Sequence, residues 1–255
     1  VIEYQDLNLY NFVEKRYWEK FASSTHFRDV WSEYVELKPF KISDNVEVVG
    51  GISEECHYVM RLVTQYYMEK VFHAMKIDMA DDNVAGDKGT PYRWVKMYCG
   101  NDLEDDTELL SGRWANKPRI ASFINTNAQK FPITKRIDIV SNCSHHTAPF
   151  STMFREDSYA IVSYIPEDKI LGISKLQRIV DWVSRRGHLQ EGLTQMIYDA
   201  VCEISETKSV YVKLSNIVHT CEKLRGSQSD DGSFTSEYYG GAFEDPELRK
   251  QVQKG

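Results

Sequence analysis

The sequence contains no apolar run that approaches the length needed to cross a bilayer, so it offers no transmembrane helix. No basic-then-apolar leader opens it, and the expectation is a cytoplasmic protein, in a host cytoplasm if the source is viral. It also lacks a basic surplus: 31 Lys and Arg against 38 Asp and Glu leave a net charge of −7. That balance argues against broad nucleic-acid binding, and an anionic ligand needs a local basic cluster working against the overall field. Internal repeats and low-complexity tracts are missing, as is an even set of cysteines. The five thiols, Cys56, Cys99, Cys143, Cys202 and Cys221, read as reduced cysteines, some of them available to a metal. Cys202 lies in the apolar pattern "MIYDAVCEI" and is expected in the core, as are Cys56 and Cys99.

What is present suits a globular chain. At 255 residues, with 42% hydrophobic and 27% charged, it can bury a core without staples. Residues 1–52 form an aromatic-rich, partly helical extension in which Phe12, Trp18 and Phe21 sit among charges at near-helical spacing. Such a face packs on a neighbour or subunit more often than it binds a cofactor. Residues 41–51 read as extended, closing at Gly50-Gly51. Residues 53–132 read as a helical region with an acidic loop. Ser53 caps a helix striped by Val59, Leu62, Val63, Tyr66 and Tyr67, and Thr90 caps a second whose first residue is Pro91. From residue 133 the period changes. "ITKRIDIVSNC", "SYAIVSYIP", "SVYVKLSNIVHTC" and "SFTSEYYGG" read as strands, with two long helices, "SKLQRIVDWVSRR" and "QEGLTQMIYDAVCEIS", between the second and third. Residues 133–255 are therefore expected as an α+β domain: a four-stranded antiparallel sheet with two long helices on one face.

Several residues carry chemistry. Cys143-x-x-His146 at one strand end and Cys221 at another supply three donors that zinc favours, leaving a fourth position for water. His145 or His219 is a possible fourth ligand, and the spacing alone also fits strand-end residues satisfied by backbone groups. Ser174, Lys175 and Arg178 open a helix, where amides and dipole attract anions. Arg225, Arg93 and Lys96 add positive charge, and together these suggest a polyphosphate site. Glu191, at another helix start, either caps or faces a ligand edge with two N–H donors.

The ordered motifs "GTPYRWVKMY", "SNCSHHTAPF", "SYIP", "GISKLQRIVD", "LQEGLT" and "HTCEKLRG" resemble those of the GTP cyclohydrolase I family over residues 55–243. That family carries T-P-x-R-x-x-K-M-Y, S-x-C-E-H-H-x-x-P-F, Y-I-P, G-L-S-K-L-x-R-x-V-D, V-Q-E-R-L-T and H-x-C-M-x-x-R-G in the same order. The resemblance implies the tunnelling fold, a toroidal homodecamer with sites between subunits, and GTP as substrate. It implies Zn2+ on Cys143, His146 and Cys221, with His145 and His219 as an acid–base pair. Ser174, Glu191 and Gln190 would hold the purine and ribose side. Lys175, Arg178 and Arg225, with Arg93 and Lys96 from an adjoining subunit, would hold the triphosphate. The implied reaction opens the guanine imidazole ring, releases C8 as formate and yields 7,8-dihydroneopterin triphosphate for pterin, folate or 7-deazaguanine synthesis.

The chain departs from that pattern in places. Ser144 stands for Glu, Thr147-Ala148 for an apolar pair, Gly187-His188 for Pro-Gln, Gly192 for Arg and Glu222 for Met. Ser144 cannot steer protons with charge, which keeps a second reading open: a nucleotide-binding zinc scaffold or regulatory relative with little turnover. A nitrile reductase on the same fold, working without zinc, is disfavoured by the intact ligand trio.

Overall fold

Local capping decides where the first helices begin. In the computed structural model, which describes residues 6–101, 108–128, 130–224 and 232–253, the Asp6 carboxylate accepts from the Asn8 and Leu9 amides and opens α1 (Leu7–Lys20). Leu9, Val13 and Tyr17 recur every four residues and are buried together. α2 (Phe27–Glu36) buries Phe27, Val30, Trp31 and Tyr34, one face of a helix. Ser53 caps α3 (Glu54–Ala74) by accepting from the Cys56 amide, and Glu33 accepts from both the Ser53 amide and hydroxyl. α4 (Thr90–Cys99) follows, and these helices share one core that includes Tyr17, Phe27, Trp31, Val59, Val63, Val95 and Trp114. The aromatic face thus packs within its own chain, with the Tyr17 and Phe27 rings 4.9 Å apart. This is the first of two compact units, Val1–Asn116.

Two local expectations need correction here. Residues 46–49 wind into a 3-10 turn instead of an extended segment. The Asn45 side chain accepts from the Glu47 amide and donates to the Gly112 and Ala115 carbonyls, so it is both cap and tether. At α4 the cap position falls to Gly89, with Thr90 already helical. A Cβ at Gly89 would meet the Val84 carbonyl at 2.1 Å, so no side chain fits there.

The second unit, Lys117–Gly255, holds the sheet. In chain order it has β1 (Ser122–Ile124), β2 (Ile133–Ile137), β3 (Val140–Cys143), β4 (Pro149–Ser151), β5 (Tyr159–Tyr164) and β6 (Lys169–Leu171). Then come α5 (Lys175–Ser184), β7 (Gly187–His188), α6 (Gln190–Ser205), β8 (Val210–His219), α7 (Thr220–Leu224), β9 (Phe234–Tyr239) and α8 (Pro246–Gln253). β2, β5, β8 and β9 pair antiparallel in that spatial order, giving the four expected strands. The long β8 also pairs with β4, β4 with β3, and β3 runs parallel to β7. β1 and β6 form a separate two-stranded ribbon. The segment expected as one strand over 133–143 breaks at Ile139, whose amide and carbonyl are taken by the Thr152 and Ser151 hydroxyls.

Alternation along the strands sorts two cores. Ala160, Val162 and Tyr164 of β5 and Val210, Val212 and Leu214 of β8 pack with Ile179, Val183, Leu193, Ile197 and Val201 of α5 and α6. Ile161 and Tyr211 face the other side, with Phe243 and Val252. Beyond Leu214 the register shifts, and Asn216 takes a left-handed φ of 56°. Past this bulge Ile217, not Asn216, joins the helix-side core. One extra residue flips every later side chain, so His219 falls on the α6 side. Among the described residues no helix is long and apolar enough to cross a membrane. Cys56 and Cys99 are buried as expected, while Cys202 is only half-buried, one position past Val201 on the inward stripe of α6.

Candidate metal centre and its histidines

The tight turn after β3 places the first two donors. The Cys143 amide donates to the Ala148 carbonyl, and the Thr147 amide donates to the Cys143 carbonyl. Thr147 completes the turn at φ 49°. Cys143 Sγ then lies 3.7 Å from His146 Nδ1. Pairing of β4 with β8, with Phe150 opposite His219, carries the chain into α7 and delivers Cys221. The donor atoms of Cys143, His146 and Cys221 all lie within 4.8 Å of one another.

The donor set fits zinc. Tetrahedral Zn–S and Zn–N bonds of about 2.3 and 2.05 Å put sulfur and nitrogen about 3.6 Å apart. The 3.7 Å Cys143–His146 separation therefore already matches two ligands of one ion. Burial, then the neighbouring Cys143 thiol, raises the pKa of Cys221. A divalent cation reverses that penalty, because it stabilises thiolates that otherwise repel. Cys143 is buried, Cys221 half-buried and His146 exposed, so the cluster opens to solvent on the histidine side. Neither His145 nor His219, the possible fourth ligands, joins it. Three protein donors with one corner left over is the pattern of catalytic zinc sites.

His219 sits two residues before Cys221, its ring stacked on Phe150 at 4.3 Å and edge-on to Phe234 at 5.2 Å. Its Nε2 lies 2.8 Å from Gln190 Oε1. The amide orientation of Gln190 follows from its other contacts. Nε2 donates to the Phe234 carbonyl at 3.3 Å and to Ser236 Oγ at 2.9 Å, and a carbonyl can only accept. Thr194 closes the set, 2.7 Å from Ser236 Oγ and donating to the Gln190 carbonyl at 2.8 Å. Gln190 Oε1 is thus an acceptor, His219 Nε2 carries the hydrogen, and Nδ1 keeps its lone pair. Burial lowers the pKa of His219, partly offset by the Glu191 and Glu222 carboxylates. The imidazole is therefore held neutral and in one tautomer.

The other expected site residues fall as follows. His145 is exposed in the turn, its ring 6.1 Å from and perpendicular to that of His146. Glu191 is exposed in the first turn of α6. Ser174 is the N-cap of α5 but makes no capping hydrogen bond, with Lys175 and Arg178 in the first turn. Among the described residues, no hydrogen bond or ion pair ties those three to the cysteine cluster. Arg93 and Lys96 lie on α4 of the first unit, where Lys96 pairs with Glu108 at 3.1 Å. Arg225 lies outside the described residues. Sequence reasoning missed Ser236, Thr194 and Phe234. Only the Gln190–Thr194 spacing of four, which puts both on one helix face, hinted at the network.

A model of the GTP cyclohydrolase I family matches residues 65–255. The chain is similar to GTP cyclohydrolase 1 of Shewanella sp. strain ANA-3, with 34% identity over 181 residues, 70% of this chain and 76% of that protein. It is likewise similar to GTP cyclohydrolase 1 of Yersinia pseudotuberculosis serotype O:1b strain IP 31758, with 34% identity over 189 residues, 73% and 78% of the two chains. The matched region contains the whole cysteine–histidine cluster and both helices behind the sheet, and the chain belongs to the GTP cyclohydrolase I family.

Proposed function

We propose that this protein is a zinc-dependent GTP cyclohydrolase I. It would hydrolyse the guanine imidazole ring of GTP, release C8 as formate and form 7,8-dihydroneopterin triphosphate. The observation that carries this reading is the convergence of Cys143, His146 and Cys221 beside a tautomer-locked His219.

Zinc held by these three residues would supply a Lewis acid that activates water at neutral pH. The protein's own groups do the rest. Glu191 offers a carboxylate that matches the two N–H donors on the guanine edge. Gln190, assigned to the purine and ribose side, also positions His219 through its side-chain oxygen. His145, exposed in the turn, moves a proton at N7 as the ring opens. His219, with Nδ1 unprotonated, takes up a proton during ribose opening and the sugar rearrangement. The Ser174 hydroxyl, which makes no capping bond, is available to substrate. Lys175 and Arg178, with Arg225 and with Arg93 and Lys96 from an adjoining subunit, bind the triphosphate. That division of labour belongs to a cytoplasmic homodecamer with sites between subunits.

The deciding experiment incubates zinc-loaded protein with GTP and, in parallel, with dGTP. Formate and pterin fluorescence are measured with and without a chelator. Turnover that disappears with the chelator is expected. Nucleotide binding without formate from either substrate would instead support the scaffold reading that Ser144 favours.

A further inference from the structure

We propose that the first unit carries an anion site of its own, a pocket for the phosphate group of a small molecule. A cavity of about 240 Å³ lies against α1, α3 and the start of α4. Among the described residues, Lys15 and Arg16 line it from α1, Arg61 from α3 and Lys88 from the turn before α4, against only Glu19 and Asp87. Four cations and two carboxylates leave a local surplus of two positive charges in a chain of net charge −7.

Arg61 gives the pocket its chemistry. The residue is only 8% exposed. Its Nη1 donates to the Asn101 carbonyl at 2.5 Å and its Nη2 to the Asn101 side-chain oxygen at 3.5 Å, while Nε has no partner among the described residues. Its partners among the described residues are neutral. A guanidinium buried with neutral partners keeps an uncompensated charge, and burial makes that costly. An anion in the cavity offsets the cost. The ion pair already at the rim is weak: Arg16 lies 3.8 Å from Asp87, whose side chain is 97% exposed. α4 adds to the preference. Lys88 precedes it and Tyr92 sits in its first turn, so the positive end of the helix dipole lies at the cavity, although the Thr90 amide is already taken by the Val84 carbonyl and Pro91 has none.

Size narrows the ligand. The cavity falls below the roughly 300 Å³ at which drug-sized ligand pockets begin. It suits a phosphate group with a few carbon atoms, not a nucleoside triphosphate. Lys15, Arg16 and Arg61 all precede residue 65, where the family match begins. Three of the four cations, though only six of the eleven described lining residues, therefore come from the part of the chain outside that match.

The test is calorimetric titration of the full chain with inorganic phosphate and, separately, with ribose 5-phosphate. It is run in a Lys175→Ala/Arg178→Ala background, which removes two cations assigned above to the triphosphate. Saturable binding of either probe is expected, and the tighter probe tells a free-phosphate site from a phosphate-ester site. Lys15→Gln/Lys88→Gln, at two exposed positions, should weaken it about tenfold, the equivalent of one lost charged hydrogen bond. Arg61→Gln should abolish it; should that variant not fold, the rim pair decides. Absence of binding by both probes at millimolar concentration, or unchanged affinity in the rim variant, would overturn the proposal. The readout is binding, so failure of the cyclohydrolase assay leaves it untouched.

Discussion

His188 should make the fold acid-sensitive by a calculable amount. The side chain is 2% exposed, and its Nε2 donates to the Val183 carbonyl at 2.8 Å. Burial pushes its pKa down to about 4; the Val183 hydrogen bond opposes this, and the Arg186 charge adds to it. In the unfolded chain the ring titrates at its ordinary value of about 6.5. Between the two values the unfolded state binds a proton that the folded state refuses, so stability falls as pH drops through that window and is fully present above it. The full penalty is about 2.5 pH units times 1.36 kcal/mol, or about 3.4 kcal/mol, reached below pH 4. At pH 5 the same linkage gives about 2 kcal/mol. The assay is urea unfolding at pH 7.5 and pH 5 of the native chain and of His188→Gln, which can keep a donor toward Val183. Chelator is present throughout, so that ligand protonation affects both proteins alike. The native chain should lose about 2 kcal/mol more than the variant between the two pH values. Equal losses would refute the account of His188 as a neutral buried ring.

The other expectations follow from the site. Cys221→Ser should reduce bound zinc, measured by atomic absorption, from about one ion per chain to a small residue, because two donors hold zinc poorly. Gln190→Leu should leave zinc content unchanged yet lower kcat by about tenfold or more, by releasing His219 from its tautomer; an unchanged kcat would remove Gln190 from the mechanism. Iodoacetamide followed by peptide mass spectrometry should label Cys143 and Cys221 only after chelation. Cys56 and Cys99, whose thiols burial pushes up to about 12 and about 11, should stay unlabelled in the native protein.

The sequence showed most where the chain is periodic or where donors share one turn. Val183 of α5 and Leu193, Ile197 and Val201 of α6 lie on stripes that could be read directly, and those stripes do face the sheet. Cys143 and His146 were legible as a pair because one turn holds both. That Cys221 joins them depends on β4 pairing with β8 across some seventy residues, and no local pattern encodes it. The 3-10 turn at residues 46–49 was hidden for the same reason, since Asn45 is tethered to carbonyls 67 and 70 residues away. β1, β6 and β7, of two or three residues, are too short to show an alternation. Cys202, expected in the core from its apolar neighbours, does pack against it but stays half-buried, one position past the fully buried Val201.

The kink at Asn216 means that β8 counts its residues twice, once from each end. Up to Leu214 even-numbered side chains point toward the helices; from Ile217 onward the odd-numbered ones do. A stretch reading His-x-Cys looks identical under either parity, so a sequence match alone cannot tell which way it is aimed. Removing a single residue at the kink would keep every letter of that motif and turn the imidazole to the opposite face of the sheet, away from the glutamine that steadies it.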